Sequence, residues 1–328
     1  MPRTRPNPSK GVMVPFVPKE TTVVVLTHIP HSEGYYQERF DVTKLSLASL
    51  LQHTDGSHDI MVFDNGSSPE MVEFLTDLKD RQAIQYLLLS QKNIGYGAAL
   101  NMALSAAPGK YVAYTDDDVF FYPDWLSKHL KVLETFPETA LVSGQVVEGD
   151  FQHDAAPVVA AKHNIDISEF KIPRKWTERW CRGLMLDADE YLSRETVISL
   201  KNYMLQHNGV KAYAGATGYS FVFRRSLLDE MPPFWSDRVI GGEDAEWHRV
   251  ANAKGYLRLT TSELLTDHIG NVLNDFWINE ARRFNIDVSN LSAVNMASMG
   301  DGTRPRLAKF RPTRFLLHWT ARKLSNYM

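Results

Sequence analysis

The chain has 328 residues, of which 44% are hydrophobic and 23% charged, so it can bury a sizeable core in one large or two small domains. Its formal net charge of -3 argues against a nucleic-acid-binding surface, and no stretch of about 18 or more apolar residues predicts a membrane-spanning helix. A single cysteine, Cys181, excludes an intramolecular disulfide, and the first residues lack the apolar segment of a signal peptide, so we expect a cytoplasmic protein.

The first half of the chain alternates strand-like and helix-like segments. Residues 21–28 form a β-branched run, and residues 38–53 have apolar side chains at helical spacing. The alternation continues with predicted strands at 58–68, 84–90 and 110–118, with predicted helices at 69–80 and 123–136, and with a Gly-containing loop that runs into a helix at 91–107. Strands separated by helices predict a mostly parallel sheet with helices on both faces. The predicted fold class is therefore α/β, with ligands at the carboxyl ends of the strands.

Acidic residues follow two of these strands. Asp64 ends the second strand, and the consecutive Asp116, Asp117 and Asp118 end the fourth, so all four should lie along one edge of the sheet. Crowded carboxylates repel one another unless a cation or hydrogen-bond donors compensate them. Oxygen-rich sites suit Mg²⁺ or Mn²⁺, which commonly share their coordination with substrate phosphates. The alternative is a solvated acidic turn before the next helix, and the cluster alone leaves both readings open.

A series of motifs gives the acid cluster a context. In chain order they are TTVVVLTH, LASLLQHT, IMVFDNGSS, NIGYGAALNMAL, KYVAYTDDDVFFYPDWL, GYSFVFRRSLLDEM and GGEDAEWHRVANAKGY. Through these motifs the chain resembles glycosyltransferase family 2, whose members have the GT-A nucleotide-sugar fold, a Rossmann-like arrangement. The resemblance covers roughly residues 21–145 and 212–268. It implies an enzyme that uses a nucleotide-diphosphate sugar.

The resemblance implies donor-binding residues at the strand ends. Thr27 and Asp64 would hold the nucleoside, and Asn93 and Gly95 would contact the donor from the loop before the third helix. Glycine in this loop permits a close approach of the backbone, and the following helix N-terminus favours an anion. An aspartate before NGSS is also common in turns, and a GxG sequence by itself is mostly a tight loop.

The family's DxD motif maps onto Asp116 and Asp118, because the PDWL sequence at 123–126 then lies at its usual distance. The resemblance implies that Asp118 binds a divalent metal directly, and that Asp116 contacts the metal or the donor ribose. The resemblance also implies that Asp117 contacts the donor and that His268 is the third metal ligand. The cofactor is then Mn²⁺ or Mg²⁺, which stabilises charge on the departing nucleoside diphosphate. A lone histidine can equally be a hydrogen-bonded surface or core residue.

The GGED sequence carries the implied catalytic residues. By resemblance, Asp244 is the general base that takes a proton from the acceptor hydroxyl, and Glu243 positions the acceptor or the loop. Attack opposite the leaving phosphate inverts the anomeric carbon. Taken alone, the same sequence is typical of a helix start, where the helix dipole keeps a carboxylate ionised.

Two regions depart from the family pattern. The loop at 28–42 is longer than the usual short turn after the first strand, and residues 146–211 contain no family motif. Within the second region, Trp176 and Trp180 have i, i+4 spacing, which favours core packing over an aromatic wall for a sugar. Asp187 and Asp189 form another DxD string, but no strand precedes it, so we interpret it as a turn or helix start.

The predicted organisation has three parts. Residues 1–20 form a flexible tail, residues 21–270 the GT-A catalytic domain, and residues 271–328 a basic, partly helical extension. The catalytic domain divides into a nucleotide-sugar-binding half at 21–145 and an acceptor-binding half at 146–270.

The last residues, 303–328, interleave basic and aromatic side chains. Such a segment can lie at the inner face of a membrane, where basic residues meet anionic lipid and aromatic rings bury at the headgroups. Alternatively it packs on the catalytic domain or on a second subunit of a homo-oligomer.

The resemblance implies a metal-dependent, inverting hexosyl- or deoxyhexosyltransferase. Its donor would carry uridine or deoxythymidine diphosphate, and its acceptor would be the hydroxyl of a glycan, glycolipid or other glycoconjugate in surface polysaccharide synthesis. Two alternatives stay open: a non-catalytic nucleotide-sugar-binding protein, and a sugar-phosphate nucleotidyltransferase. Against the second, the Gly-rich, basic phosphate loop expected after the first strand is absent from the sequence.

Overall fold

The structure is a computed structural model that describes residues 10–12, 16–146, 155–194, 201–234 and 243–287, with only the backbone for 243–245. The predicted basic tail therefore lies outside the described residues. Within the described ranges, no helix combines the length and the apolar composition needed to cross a membrane.

The first half of the chain has the predicted alternation of strands and helices. Its elements are β1 (Thr21–Thr27), α1 (Arg39–His53), β2 (His58–Asn65), α2 (Pro69–Asp80), β3 (Tyr86–Ser90), α3 (Tyr96–Ala106) and β4 (Tyr111–Asp116). Every residue of β1 is buried, as its β-branched sequence predicts for a central strand. The strands and helices predicted for this half are confirmed, with boundaries that differ by a few residues.

The second half is less regular. Its elements are β5 (Val119–Phe121), α4 (Trp125–Thr135), β6 (Thr139–Ser143), α5 (Ala155–His163), β7 (Asp166–Phe170), α6 (Arg174–Gly183), α7 (Ala188–Leu192), β8 (Asn202–His207), β9 (Val210–Ala214), β10 (Ser220–Arg224), α8 (Glu243–Ala253), β11 (Leu257–Thr261), β12 (Thr266–His268) and α9 (Asp275–Arg283). Asp187 is the N-cap of α7 and accepts a hydrogen bond from the Glu190 backbone, so the second DxD string is a helix start, as predicted.

The strands of the described residues form a large sheet in the order β3-β2-β1-β4-β10-β6-β11-β9-β8-β7, and β12 pairs with β5 in a small separate sheet. The pairings within the large sheet give all strands except β10, β9 and β7 the same direction. The predicted mostly parallel sheet is therefore confirmed. The reversed strands lie next to β4 and at the β7 edge.

Helices cover both faces of the sheet. Alternate residues of β1 supply different cores: Val23 and Val25 pack in one cluster, Val24 and Leu26 in the other. The first cluster includes side chains of α1, α2 and α4, and the second includes side chains of α3 and α8. The alternation of side chains along a strand thus produces the predicted two-sided α/β fold.

Helix α4 contains a fully buried histidine. His129 donates from Nδ1 to the carbonyl of Trp125 at 2.5 Å, and its Nε2 has no hydrogen-bond partner. Burial lowers the pKa of His129 from 6.5 to about 4, because the charged imidazolium would lose its hydration there. The side chain is therefore neutral at neutral pH.

This histidine should make the fold sensitive to acid. The pKa of His129 is lower in the folded state than in the unfolded state. The contribution of this residue to the free energy of unfolding is therefore fully present above pH 6.5 and is lost as the pH falls toward about 4. We expect His129 to account for a loss of about 3 kcal/mol in the free energy of unfolding between about pH 7 and about pH 4. Urea denaturation of His129→Asn should show a correspondingly flatter pH dependence, whereas His58→Asn, at a partly exposed histidine, should keep the wild-type slope. Parallel curves for wild type and His129→Asn would contradict this assignment.

Candidate functional site

The parallel strands bring several predicted residues to one edge of the sheet. The register pairs Thr27 with Asp64, and Leu26 with Asp116, so β1, β2 and β4 end at the same level. Carboxyl ends of adjacent parallel strands are the usual position of ligand sites in α/β folds. Thr27, Asp64 and Asp116 are therefore neighbours along this edge, as the sequence predicts.

The loops after β2 and β3 are braced against each other. Asn65 donates to the Asn93 side-chain oxygen at 3.2 Å and accepts from the Ile94 backbone at 3.0 Å. The same Asn93 oxygen accepts from the Gly95 backbone at 2.7 Å. Beside them, Asp64 uses Oδ2 to accept from the Ser67 backbone, while its buried Oδ1 has no hydrogen-bond partner in the part of the chain that the structure describes. Hydrogen bonds thus hold the predicted donor-binding loop in place. The neighbouring Asp64 keeps one buried acceptor atom that no described residue satisfies.

Asp117 is held entirely by protein groups. Its Oδ2 accepts from Thr27 Oγ1 at 2.5 Å and from Thr43 Oγ1 at 3.1 Å, and its Oδ1 accepts from the Arg39 guanidinium. Burial raises the pKa of Asp117, and the charge of Arg39 opposes that rise. The side chains of Thr27 and Asp117, both predicted to bind donor, therefore bond to each other in this structure.

Asp118 and His268 meet across the small sheet. The antiparallel pairing of β12 with β5 places His268 opposite Val119, and His268 Nε2 lies 3.4 Å from Asp118 Oδ2. Asp118 Oδ2 also accepts from Arg39 at 2.5 Å. Burial alone would raise the pKa of Asp118, but the nearby Arg39 and His268 outweigh it and hold the pKa well below its usual range. Asp118 is therefore ionised.

Asp116 faces a different partner. The Tyr114 hydroxyl donates to its Oδ1, and Tyr114 in turn lies 2.8 Å from the Tyr96 hydroxyl at the start of α3. Burial raises the pKa of Asp116 well above its usual range, and the negative charge of Asp118 adds to the rise. The three consecutive aspartates thus have three different environments.

The side chains of this cluster suit a divalent ion whose coordination shell is completed by oxygen atoms of the substrate. In the described part of the chain, no group of three or more His, Cys, Asp or Glu side chains is arranged to hold a metal. However, among the described residues Asp118 Oδ1 is buried without a hydrogen-bond partner, and the His268 nitrogen that faces Asp118 is Nε2. Mg²⁺ usually takes one or two protein carboxylates and completes its shell with water and phosphate oxygens. A carboxylate beside an imidazole fits such an ion, and Asp116 as a further ligand stays a prediction.

Aromatic rings surround His268. Trp180 of α6 stacks on Tyr219 with 5.8 Å between ring centroids, and the two rings lie 5.8 and 5.3 Å from the His268 ring. Trp180 is partly buried and packs against the core, which confirms the predicted packing role for this residue. At the end of α6, a Cβ atom on Gly183 would collide with the His268 carbonyl, and one on Gly270 would collide with the Gly183 carbonyl. Backbone contact therefore sets the spacing between α6 and the His268 loop.

Behind His268, a buried network connects α6 and α9 to the site. Arg179 donates to Asp267 Oδ2 at 2.6 Å, and Gln145 donates to Asp267 Oδ1 at 2.9 Å. Arg179 also bonds to the Tyr122 hydroxyl and lies 3.3 Å from a Glu280 oxygen in α9. Asp267 immediately precedes the predicted ligand His268, and sequence reasoning missed Arg179. The network holds the residue next to His268 in place.

The two residues that are predicted to be catalytic lie at the start of α8. This helix begins at Glu243, so Glu243 and Asp244 form its first turn, and their side chains lie outside the described residues. One turn later, Trp247 stacks on Phe234 at 4.4 Å. The Asn101 side-chain amide donates to the Phe234 carbonyl, and the Asn101 side-chain oxygen accepts from the Phe234 backbone N–H, both at 2.8 Å. Helix α3, which follows the donor loop, is thus tied to the chain before α8.

The Arg179 network yields a test of stability. We expect Arg179→Met to lower the free energy of unfolding by about 3 kcal/mol, because it leaves the fully buried Asp267 carboxylate without its cation. Adding Asp267→Asn should recover part of that loss. The matched control, Arg174→Met on the same helix, removes exposed ion pairs and should cost less than about 1 kcal/mol. Urea denaturation at neutral pH gives both values, and equal losses for the two arginines would contradict the buried role of Arg179.

Comparisons with known proteins identify the family to which this chain belongs. The family model described as Glycosyl transferase family 2 matches residues 35–232. The chondroitin synthase of Escherichia coli is 26% identical over 216 residues, which cover 64% of this chain and 30% of that protein. An uncharacterized glycosyltransferase of Rickettsia felis is 34% identical over 89 residues, covering 27% of this chain and 14% of the relative. The chain thus spans under a third of the length of either relative.

Two solved structures have weaker similarity. A mannosyltransferase from Pyrobaculum calidifontis, in complex with GDP-Man and Mn²⁺, is 18% identical with a TM-score of 0.46, covering 88% of this chain and 66% of that chain. S. aureus TarS residues 1–349, in complex with UDP-GlcNAc, are 14% identical with a TM-score of 0.44, covering 79% of this chain and 60% of that chain. The family model, in contrast, matches more than half of the chain, which therefore belongs to glycosyltransferase family 2.

Proposed function

We propose that the chain is a divalent-metal-dependent glycosyltransferase that moves a sugar from a nucleotide-diphosphate sugar to an acceptor hydroxyl with inversion. The observation that carries this proposal is the 3.4 Å approach of His268 to Asp118, in a chain whose residues 35–232 match the family model. The non-catalytic alternative is disfavoured because the chain retains both the DxD aspartates and the Glu243–Asp244 pair.

The donor nucleoside belongs at the ends of β1 and β2. Asp64 Oδ1, which is unsatisfied among the described residues, suits an N–H donor of the base, and the N3–H of uracil or thymine would serve in the uridine or deoxythymidine donor that we propose. The hydrogen bond between the Thr27 and Asp117 side chains holds these two proposed donor-binding residues in place. Asn93 and Gly95 present a braced loop at the start of α3, where helix N–H groups favour the donor diphosphate.

The metal, Mn²⁺ or Mg²⁺, would be held by Asp118 and His268, with Asp116 nearby. When bound it would supply positive charge that stabilises the departing nucleoside diphosphate. Asp118 is suited to this role because its carboxylate is ionised and one of its oxygens has no protein partner. The Mn²⁺ complex of the P. calidifontis mannosyltransferase is consistent with such a cofactor.

The transfer step uses the start of α8. Asp244 accepts the proton of the acceptor hydroxyl while that oxygen forms a bond to the anomeric carbon. The bond from this carbon to the donor phosphate breaks, and its electron pair leaves with the nucleoside diphosphate. Glu243 positions the acceptor or the loop. Asp244 lies in the first helical turn, where the helix dipole favours the ionised carboxylate that a base requires.

The acceptor is a glycan, glycolipid or other hydroxyl-bearing glycoconjugate. The similarity to E. coli chondroitin synthase supports a polysaccharide setting. We propose a cytoplasmic enzyme that contacts the inner face of the membrane through its basic tail at 303–328, with self-association as the alternative role of that tail. These proposals on location and assembly rest on the sequence.

A screen of nucleotide sugars tests the proposed reaction. Uridine, deoxythymidine and guanosine diphosphate sugars, each with and without Mn²⁺ or Mg²⁺, are assayed for thermal stabilisation and hydrolysis. A donor present at about 100 times its Kd should stabilise the fold by about 2.7 kcal/mol. Stabilisation without hydrolysis or transfer would favour a binding protein, and pyrophosphate formation from a sugar phosphate would favour a nucleotidyltransferase.

Asp118→Asn should weaken metal-dependent donor binding. The change keeps the shape of the side chain but removes the charge of a ligand that lies beside His268. We expect donor affinity in the presence of Mn²⁺ to fall about tenfold or more by calorimetry. Asp187→Asn, in the second DxD string at the start of α7, is the matched control and should leave donor affinity unchanged. Unchanged Mn²⁺ dependence in Asp118→Asn would remove this residue from the site.

Asp244→Asn should separate donor binding from transfer. The amide cannot accept the acceptor proton, so we expect transfer to fall roughly 10²-fold or more while donor affinity stays at the wild-type value. Single-turnover transfer and calorimetric donor binding measure the two quantities. Transfer at the wild-type rate would exclude Asp244 as the base, and a parallel loss of donor affinity would indicate damage to the fold instead.

A further inference from the structure

A buried arginine reaches into the acid cluster from α1. The Arg39 guanidinium binds Asp117 Oδ1, and it donates to Asp118 Oδ2 at 2.5 Å. It also donates to the Gly270 carbonyl at 3.3 Å and to the Asn271 side chain at 3.4 Å. One side chain thus joins α1, the aspartates after β4 and the loop after His268.

The position of this arginine is unfavourable by itself. Arg39 is the first residue of α1, where the helix dipole disfavours a cation, and it is only 7% exposed. A buried charge is costly unless it is paired with opposite charge and hydrogen-bonded. The two aspartates compensate it, so Arg39 and the acid cluster depend on each other.

The arginine occupies oxygens that a metal ion would otherwise use. Asp117 gives Oδ1 to Arg39 and Oδ2 to two threonine hydroxyls. Asp118 directs Oδ2 toward Arg39 and His268, and within the described ranges only its Oδ1, among the four oxygens of this pair, is without a partner. Arg39 also cancels one negative charge. A divalent ion entering alone therefore finds few free ligands and a reduced negative potential.

We propose that Arg39 is a fixed counter-ion that keeps the affinity of the site for a free divalent ion low, so that the ion binds together with the nucleoside diphosphate. The inference deepens the proposed function and rests on it. The diphosphate supplies both the oxygen ligands and the negative charge that Arg39 withholds. Arg39 acts through Asp118 and is a positioning residue, not a catalytic one.

This role predicts a reciprocal coupling between metal and nucleotide. If UDP raises the affinity for Mn²⁺ by some factor, Mn²⁺ must raise the affinity for UDP by the same factor. We expect that factor to be at least about tenfold in the wild-type chain, since a charge a few ångströms away commonly changes ion binding by one or more powers of ten.

The test measures Mn²⁺ binding to the full chain with and without UDP, using electron paramagnetic resonance of free Mn²⁺. Arg39→Met removes the counter-ion and should bind Mn²⁺ alone at least about tenfold tighter than wild type, with weaker coupling to UDP. A merely structural arginine predicts the opposite, because a loosened site binds metal more weakly. The increase in metal affinity is therefore specific to the proposed role.

Three further variants control for charge and folding. Arg39→Lys keeps the positive charge but not the planar fork that holds both aspartates, so its affinity for Mn²⁺ alone should lie between those of wild type and Arg39→Met. Arg39→Met combined with Asp117→Asn removes one cation and one anion, and it should also remain near the wild-type value. Arg224→Met removes another partly buried arginine, which donates to the carbonyls of Leu133 and Thr139, and should leave Mn²⁺ binding unchanged.

The proposal is overturned if folded Arg39→Met binds free Mn²⁺ no tighter than wild type. If Arg39→Met does not fold, wild type and the double variant decide: equal Mn²⁺ affinity of wild type with and without UDP, or tight Mn²⁺ binding by the double variant, excludes the counter-ion role. Failure of the donor reaction has a different signature. In that case wild type hydrolyses no nucleotide sugar, while the comparison of Mn²⁺ affinity between wild type and Arg39→Met still gives its answer.

Discussion

Electrostatic repulsion among three consecutive carboxylates is the constraint around which this edge of the sheet is built. The chain resolves it by giving each aspartate a different set of partners, with one arginine shared by the last two: Asp116 has a tyrosine hydroxyl, Asp117 has two threonines and Arg39, and Asp118 has Arg39 and a histidine. These partners come from β1, α1, β4 and β12. Compensating the charges therefore requires that the parallel half of the sheet and the end of the domain fold together.

Topology supplies the partners in a particular way. Parallel strands β1, β2 and β4 align their ends because the crossovers are helical, which collects residues from the first part of the chain. The small β5–β12 sheet then brings a segment from late in the chain to the same place, and it puts His268 beside Asp118. Helices α6 and α9 support that segment through Arg179, whose partner Asp267 precedes His268. The three aspartates thus come from the first part of the chain, whereas His268 reaches Asp118 from a late segment.

Sequence patterns predicted the parallel half well, because β-branched runs, helical periodicity and turn residues are local signals. The strand-end rule placed Asp64 and Asp116 correctly, whereas the proximity of His268 to Asp118 came from the resemblance to a family. Arg39 was missed, since an arginine at a helix start usually faces solvent and nothing nearby in sequence marks a long-range ion pair. The useful signal was the acid cluster itself, which requires a cation. The β7–β8–β9 edge lies in the stretch without motifs, and its pairing depends on tertiary contacts.

The glycine contact at the end of α6 has a consequence for how this site can diverge among related chains. Because Gly183 and Gly270 meet through backbone atoms, no side chain can serve as an adjustable spacer between α6 and the His268 loop. In related chains, a change in the packing around His268 would therefore require a different ring at Trp180 or Tyr219, or a shift of the whole of α6. We expect that packing to vary in steps set by ring size, and not by gradual shifts of the backbone.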